Sequence, residues 1–287
     1  MFFLLDHLTT TLQYFHRLIM KNSKTFSVSL LCFALVSIAQ GAVNVLVSDS
    51  FNRTNNTDLN ADTAGKSGSL GTVDWSEISH KGSPEVVSNL LQLGELSAAG
   101  GWSIAWMNHN FTDSEIYNSG EFTVSVDIIN LGSTGGTRFS GFAVGNSLSD
   151  LSNWSANNPS VFTSDFFIGY DPTGTTEVKV FLGGTQDYHQ TIDLGSEANL
   201  SVRFHSFSNF NAGTNVNYEA SINDSIVKTG VFSWSGTNEN YINLYSNYSL
   251  HTARFDDFEV SAVPEPSTYA FLFGACILGY ALWRKRK

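Results

Sequence analysis

Between Ala42 and Ala262 the side chains able to do chemistry are few in kind. His80, His109, His189, His205 and His251 stand apart, without the short spacings by which imidazoles converge on one metal ion. No Gly-x-Ser-x-Gly turn and no phosphate-binding glycine loop occurs. Cys32 and Cys276 both lie outside this stretch, which excludes a thiol nucleophile or a cysteine-ligated metal within it. Carboxylates and aromatic rings remain. Asp49, Asp256 and Asp257, with Asp58, are hard oxygen donors that would suit calcium if the first and last strands pair. Strand alternation argues against this set, because it sends Asp256 and Asp257 to opposite faces. Trp75, Trp102, Trp106, Trp154 and Trp234 could stack on sugar rings, but Trp102 and Trp106 share strand parity and are expected to pack the core. No cofactor is expected beyond that candidate calcium ion.

Charge narrows the partners. Residues 42–262 carry 24 acidic and 8 basic side chains, a net charge near −16 with histidine neutral. Such a surface repels phosphate backbones and anionic headgroups, so no nucleic-acid partner is expected. Neutral sugars, divalent cations and plain solvation are compatible with it.

The elements that must position these residues read as strands. Short alternating runs rich in β-branched and aromatic residues recur between Gly, Asn, Asp and Ser, as in "VNVLVSDSF", "TVDWSEI", "EVVSNLLQL", "WSIAWMN", "FSGFAVG", "DFFIGYD" and "NLSVRFHSF". In "EFTVSVDI", Phe122, Val124, Val126 and Ile128 alternate with Glu121, Thr123, Ser125 and Asp127, giving one apolar and one wet face. No sustained helical period appears between residues 42 and 262. About thirteen strands in one cysteine-free domain predict an all-β fold, a two-sheet antiparallel β-sandwich of jelly-roll type. "YEASINDSIVKTGVF" reads as a hairpin turning at Asn223 and Asp224. The polar stretch "FNRTNNTDLNADTAGKSGSLG" reads as an ordered loop or an extended edge.

The two ends carry an address. Lys21 and Lys24 precede an apolar stretch from Phe26 to Ala39 and small residues in "SIAQGAV", the three regions of a secretory signal cut by signal peptidase. Met20 begins an ordinary signal over residues 20–41, so residues 1–19 read as an upstream mis-start. At the other end, residues 267–283 carry no formal charge and would span about 25 Å as a helix at about 1.5 Å per residue. Arg284, Lys285, Arg286 and Lys287 stop that helix at the cytoplasmic face of the inner membrane, placing the 42–262 domain on the far side. Pro264 and Pro266 hold residues 263–266 extended and readable by an enzyme groove.

Val263, Pro264, Glu265, Pro266 and Ser267, then an apolar helix and a basic end, resemble the PEP-CTERM sorting signal of Gram-negative bacteria. The resemblance covers about the last 25 residues and implies export across the inner membrane, transient anchoring there and processing by an exosortase. The expected destination is the cell surface or an extracellular polymer matrix.

A second resemblance concerns residues 43–262. The opening "DSFNRTNNTDLN", the late "VNYEASINDSIV" hairpin and the closing "ARFDDFEV" look like the concanavalin A-like lectin/glucanase sandwich. That fold implies neighbouring first and last strands, which would bring Asp49 and Phe51 near Phe255 and Phe258. Retaining glucanases of that superfamily set their carboxylates in a Glu-x-Asp-x-x-Glu pattern on one strand. Here Glu121, Thr123, Ser125 and Asp127 lack the paired acids, and "DDFE" has the wrong order and spacing. The expectation is therefore a non-enzymatic, surface-sorted structural or binding component of the envelope or matrix. The alternatives are a carbohydrate-binding module that takes extracellular polysaccharide and, behind it, a glycoside hydrolase.

Overall fold

The computed structural model describes residues 43–79, 83–93, 101–112, 116, 119–130, 140–152, 164–171, 177–192, 197–248 and 253–262. The expected signal peptide, the sorting motif with its apolar helix and basic end, His80, His251 and Trp154 lie outside the described residues. Val43–Glu265 forms one compact unit; the other, Met1–Ala42 with Pro266–Lys287, contains none of the described residues.

Two antiparallel sheets make up the domain. Sheet A runs β14 (Ser225–Ser233), β13 (Asn215–Ile222), β12 (Glu197–His205), β7 (Glu121–Asn130), β16 (Ala253–Ala262), β1 (Asn44–Asp49) and β2 (Lys66–Ser67). Beside β1, β5 (Leu90–Leu93) also pairs with β16, and β4 (Glu85–Val87) pairs with β5. Sheet B runs β11 (Thr185–Thr191), β10 (Glu177–Leu182), β9 (Phe166–Asp171), β8 (Ser140–Asn146), β15 (Tyr241–Tyr248), β6 (Gly101–Met107) and β3 (Trp75–Ser79).

Alternation builds the core between the sheets. Phe122, Val124, Val126 and Ile128 of β7 are buried with Leu200, Val202 and Phe204 of β12, Val260 and Phe258 of β16, and Phe142, Phe166 and Leu244 of sheet B. Aromatic rings fill its centre: Phe122 stacks on Phe204 with centroids 4.8 Å apart, and Phe166 meets Phe204 edge-on at 5.0 Å.

The first and last strands are neighbours as expected, with Asp49 opposite Phe258 in register. Phe51 and Phe258 meet across the Trp75 ring, at 5.7 and 5.4 Å. The β13–β14 hairpin turns at Asn223 and Asp224, whose φ values of 46° and 63° suit a primed two-residue turn.

Sixteen strands appear among the described residues, more than the thirteen expected. "EVVSNLLQL" is a hairpin rather than one run, because Ser88 and Asn89 adopt φ of 55° and 63°. β11 went unread because it is an exposed edge strand of polar residues with no apolar alternation to betray it. The short helix α1 (Leu148–Ser152) is opened by a capping box: Ser147 N–H donates to Asp150 Oδ2, and Asp150 N–H donates to Ser147 Oγ.

Both flanks of the sandwich carry polar ties between the sheets. On one, the Trp75 Nε1–H donates to Asp49 Oδ2 at 2.7 Å. On the other, the Tyr218 hydroxyl donates to Asp187 Oδ2 at 2.7 Å, and Lys228 pairs with Asp187 at 3.2 Å. Lys228 points inward from edge strand β14, next to a bulge in its ladder with β13, and both devices discourage pairing with another chain.

Candidate functional site

Sheet B buries side chains on both of its faces. Ala105, Met107, Phe142, Val144, Phe166, Ile168 and Leu244 face sheet A. On the opposite face a second apolar cluster forms from Trp102, Ile104, Trp106, Ala143, Phe167 and Tyr245, with Leu151 of α1 packed against it. The expectation that Trp102 and Trp106 pack the core is corrected in one respect. They are buried and share a face, but that face looks away from sheet A.

Register sets out this second face in rows. Trp106, Asn243, Ala143, Phe167 and Phe181 lie side by side across β6, β15, β8, β9 and β10. The next row holds Tyr241 opposite Asn146, where a bulge in β8 turns Asn146 toward the face of its partner. Along β8 the residues on this face are Gly141, Ala143 and Gly145, so a buried furrow of small residues runs between the longer side chains of β15 and β9. Its small residues are required: a Cβ at Gly141 would lie 1.9 Å from the Ile168 carbonyl oxygen.

The polar atoms beside the furrow are unusual. Asn243 and Asn146 are fully buried, and neither amide oxygen nor amide nitrogen has a hydrogen-bond partner among the described residues. The Trp106 indole N–H is also buried and without an acceptor among the described residues. An unsatisfied buried polar group costs about 1–3 kcal/mol, so three side chains carrying such groups on one face amount to a standing cost in stability. Together they offer three donor groups, three N–H-bearing nitrogens in all, and two carbonyl acceptors between aromatic walls.

Asp165 closes one end of the furrow. It precedes β9 by one residue and continues the β8–β9 register to a place opposite Gly145, against which its carboxyl packs; a Cβ on Gly145 would fall 2.7 Å from Asp165 Oδ2. The Ser235 backbone N–H and hydroxyl both donate to Oδ2, at 3.1 and 3.2 Å. Burial pushes the Asp165 carboxyl up to about 6, opposed by the two Ser235 bonds and assisted by the charge of Asp150. The loop carrying Ser235 is held by Asn240, whose Oδ1 accepts from Gly145 N–H at 2.9 Å. At the far edge, Glu177 bridges Lys179 and His189, each at 3.0 Å, and those contacts lower its pKa.

The carboxylates that were candidates for calcium do not converge. Asp49 is fully buried and committed to Arg53, Trp75 and the Phe51 backbone N–H, all within 3.0 Å. Asp256 and Asp257 sit in a bulge of β16, where Asp256 Oδ1 accepts from the Asp257 backbone N–H. Asp58 caps its own loop by accepting from Asn60 N–H. No group of three or more His, Cys, Asp or Glu able to hold a metal ion occurs among the described residues. Trp75 and Trp234 are core residues, so neither is available to stack on a sugar. His205 lies beside Glu219, and His109 packs on the Phe111 ring.

Asn146, Asn243 and Asp165 were missed by reasoning from sequence. The signal available was an Asn at an inward-or-outward strand position in an otherwise apolar run, as in "YINLYSN", and it does not say which face is involved.

Residues 262–287 match the PEP-CTERM protein-sorting motif, which marks the chain for export and membrane-associated processing by an exosortase-type enzyme in a Gram-negative bacterium. No curated protein matches the chain. Similar solved structures include the carbohydrate recognition domain of Emp46p, at 9% identity and a TM-score of 0.47 over 65% of this chain and 87% of that one. The calcium-bound exoplasmic/lumenal domain of VIP36 is similar at 12% identity and 0.45, over 68% and 86%. Alginate lyase Aly36B in complex with an alginate trisaccharide is similar at 11% identity and 0.46, over 77% and 98%.

Proposed function

We propose that this chain is a non-catalytic, surface-sorted binding component of the cell envelope or extracellular polymer matrix, and that the outer face of sheet B takes a glycan. The observation that carries this reading is the set of unpartnered polar atoms on that face: the Trp106 Nε1–H and the two amides of Asn243 and Asn146. A sugar hydroxyl donates and accepts at once, so it satisfies amides and an indole N–H together, while aromatic walls suit the apolar face of a pyranose ring. The acidic domain and the sorting motif fit a protein that works among extracellular polymers. Leu151 lies against this face, so an entering ligand displaces it.

The test is binding of the isolated unit, residues 43–265, to immobilised β-glucan, dextran, galactomannan and xylan, with folding checked by thermal melting. Binding to at least one of them, lost in both Trp106→Ala and Asn243→Ala, supports the reading. Absence of binding across the set by a folded domain overturns it and leaves a purely structural matrix role.

A further inference from the structure

We propose that Asp165 is the charge filter of this face, a fixed carboxylate at the end of the β8 furrow that admits uncharged sugar residues and turns away anionic ones. The inference rests on the glycan-binding reading and goes further by assigning a ligand class to the site and a specificity residue to its end.

Three observations carry it. The first is position. Phe167 belongs to the outer cluster and Phe166 to the core, so alternation puts Asp165 on the outer side, one row along from the Asn243–Ala143–Phe167 row. Row spacing on a strand is about 7 Å, less than the length of a disaccharide, so a ring seated over Ala143 lies beside the carboxyl. The second is that the carboxyl cannot swing clear. Gly145 leaves the space it occupies, and the Ser235 N–H and hydroxyl hold Oδ2 in place. The third is that no cation neutralises it. Asp165 has no salt bridge among the described residues, and Asp150 on α1 is the one charged group in electrostatic reach there, with the same sign.

Among the described residues, the other elements packed against Asp165 bring no titrating group. Gly145 comes from β8, Ser235 from the β14–β15 connection, and Gly183, whose N–H donates to the Asp165 carbonyl, from the β10–β11 turn. The filter is therefore a single carboxyl, biased among the described residues by Asp150. Its raised pKa means that the filter opens as pH falls through about 6, when Asp165 becomes neutral and able to donate a hydrogen bond to a uronate.

The experiment uses the 43–265 unit with two soluble probes, polygalacturonate and whichever neutral polysaccharide binds most tightly. Wild type at pH 7.5 is expected to bind the neutral polymer and to bind polygalacturonate about tenfold or more weakly. Asp165→Asn keeps an acceptor for Ser235 and is expected to remove most of that difference, read as the ratio of the two affinities in the same protein. The wild type provides a second readout that needs no variant: polygalacturonate binding should rise between pH 7 and pH 5, where the uronates stay ionised. Equal binding of both polymers by wild type at pH 7.5 overturns the proposal. So does an Asp165→Asn domain that melts normally and still rejects polygalacturonate, or a wild type whose selectivity is flat across that pH range. In each of those results the glycan-binding reading stands, whereas a wild type that binds no polysaccharide removes both.

Discussion

Trp75 on β3 donates its indole N–H to Asp49 on β1 at 2.7 Å, so a single hydrogen bond joins sheet B to sheet A inside the hydrophobic core. The same Asp49 carboxylate takes both terminal nitrogens of Arg53, at 2.6 and 3.0 Å, and neither side chain of that pair is more than 1% exposed. A fully buried ion pair is weak evidence for net stability, but removing one partner strands the other charge.

Asp49→Ala is therefore expected to destabilise the domain by about 3–5 kcal/mol, the range for an uncompensated buried charge. Arg53→Met together with Asp49→Leu should cost much less than the sum of the single changes. Urea unfolding of the three variants checks this, and additive losses would contradict it.

Gly230 lies under the Tyr218 ring, where an added Cβ would meet the ring at 2.6 Å. Tyr218 cannot withdraw, because its hydroxyl is tied to Asp187 and its ring packs on Phe166. Gly230→Ala should lower stability by about 1–3 kcal/mol through overpacking, and Tyr218→Ala should relieve most of that effect in a double-mutant cycle. No coupling between the two positions would refute the clash.

Asn243→Leu should raise the melting temperature, since it replaces an amide that is buried without partners by an apolar group of similar volume. It should also abolish polysaccharide binding. A variant that is more stable and inactive is the signature of a polar group kept for a ligand, whereas a loss of stability would mean that the amide is satisfied in the folded chain.

Asp165 and Asp256 both hold their protons more tightly in the folded domain, each with a carboxyl raised to about 6, chiefly by burial. Asp256 is also crowded by Asp257, Asp127 and Glu197. The folded state then binds more protons than the unfolded chain between pH 4 and pH 6, so stability falls as pH rises through that window and levels off above it. Thermal melts should show a higher midpoint at pH 5 than at pH 7.5. The Asp165→Asn, Asp256→Asn double variant should flatten the profile.

Much of the fold was legible because alternation is local. Phe122, Val124, Val126 and Ile128 announce a half-buried strand from neighbours two residues apart, and Asn223 with Asp224 announces a turn from two residues alone. β11 was not legible, since an exposed edge strand of polar residues has no face to bury. "EVVSNLLQL" was misread as one run because the positive φ of Ser88 and Asn89 leaves no hydrophobic mark.

The candidate site was legible only in part. Strand parity places Trp102 and Trp106 on one face, but parity cannot say which face meets the other sheet. The commitment of Asp49 to Arg53 depends on a loop that folds back over β1, which no spacing rule encodes.

The sequence by itself determined the sorting signal and the class of fold, because a sorting tail is a contiguous string and a strand is a period-two pattern. Tertiary structure alone decided that Trp106, Asn243, Ala143 and Asp165, drawn from four separate parts of the chain, share one face. Register between strands distant in sequence brings them together, and register is set by how two whole sheets bury their apolar faces against each other.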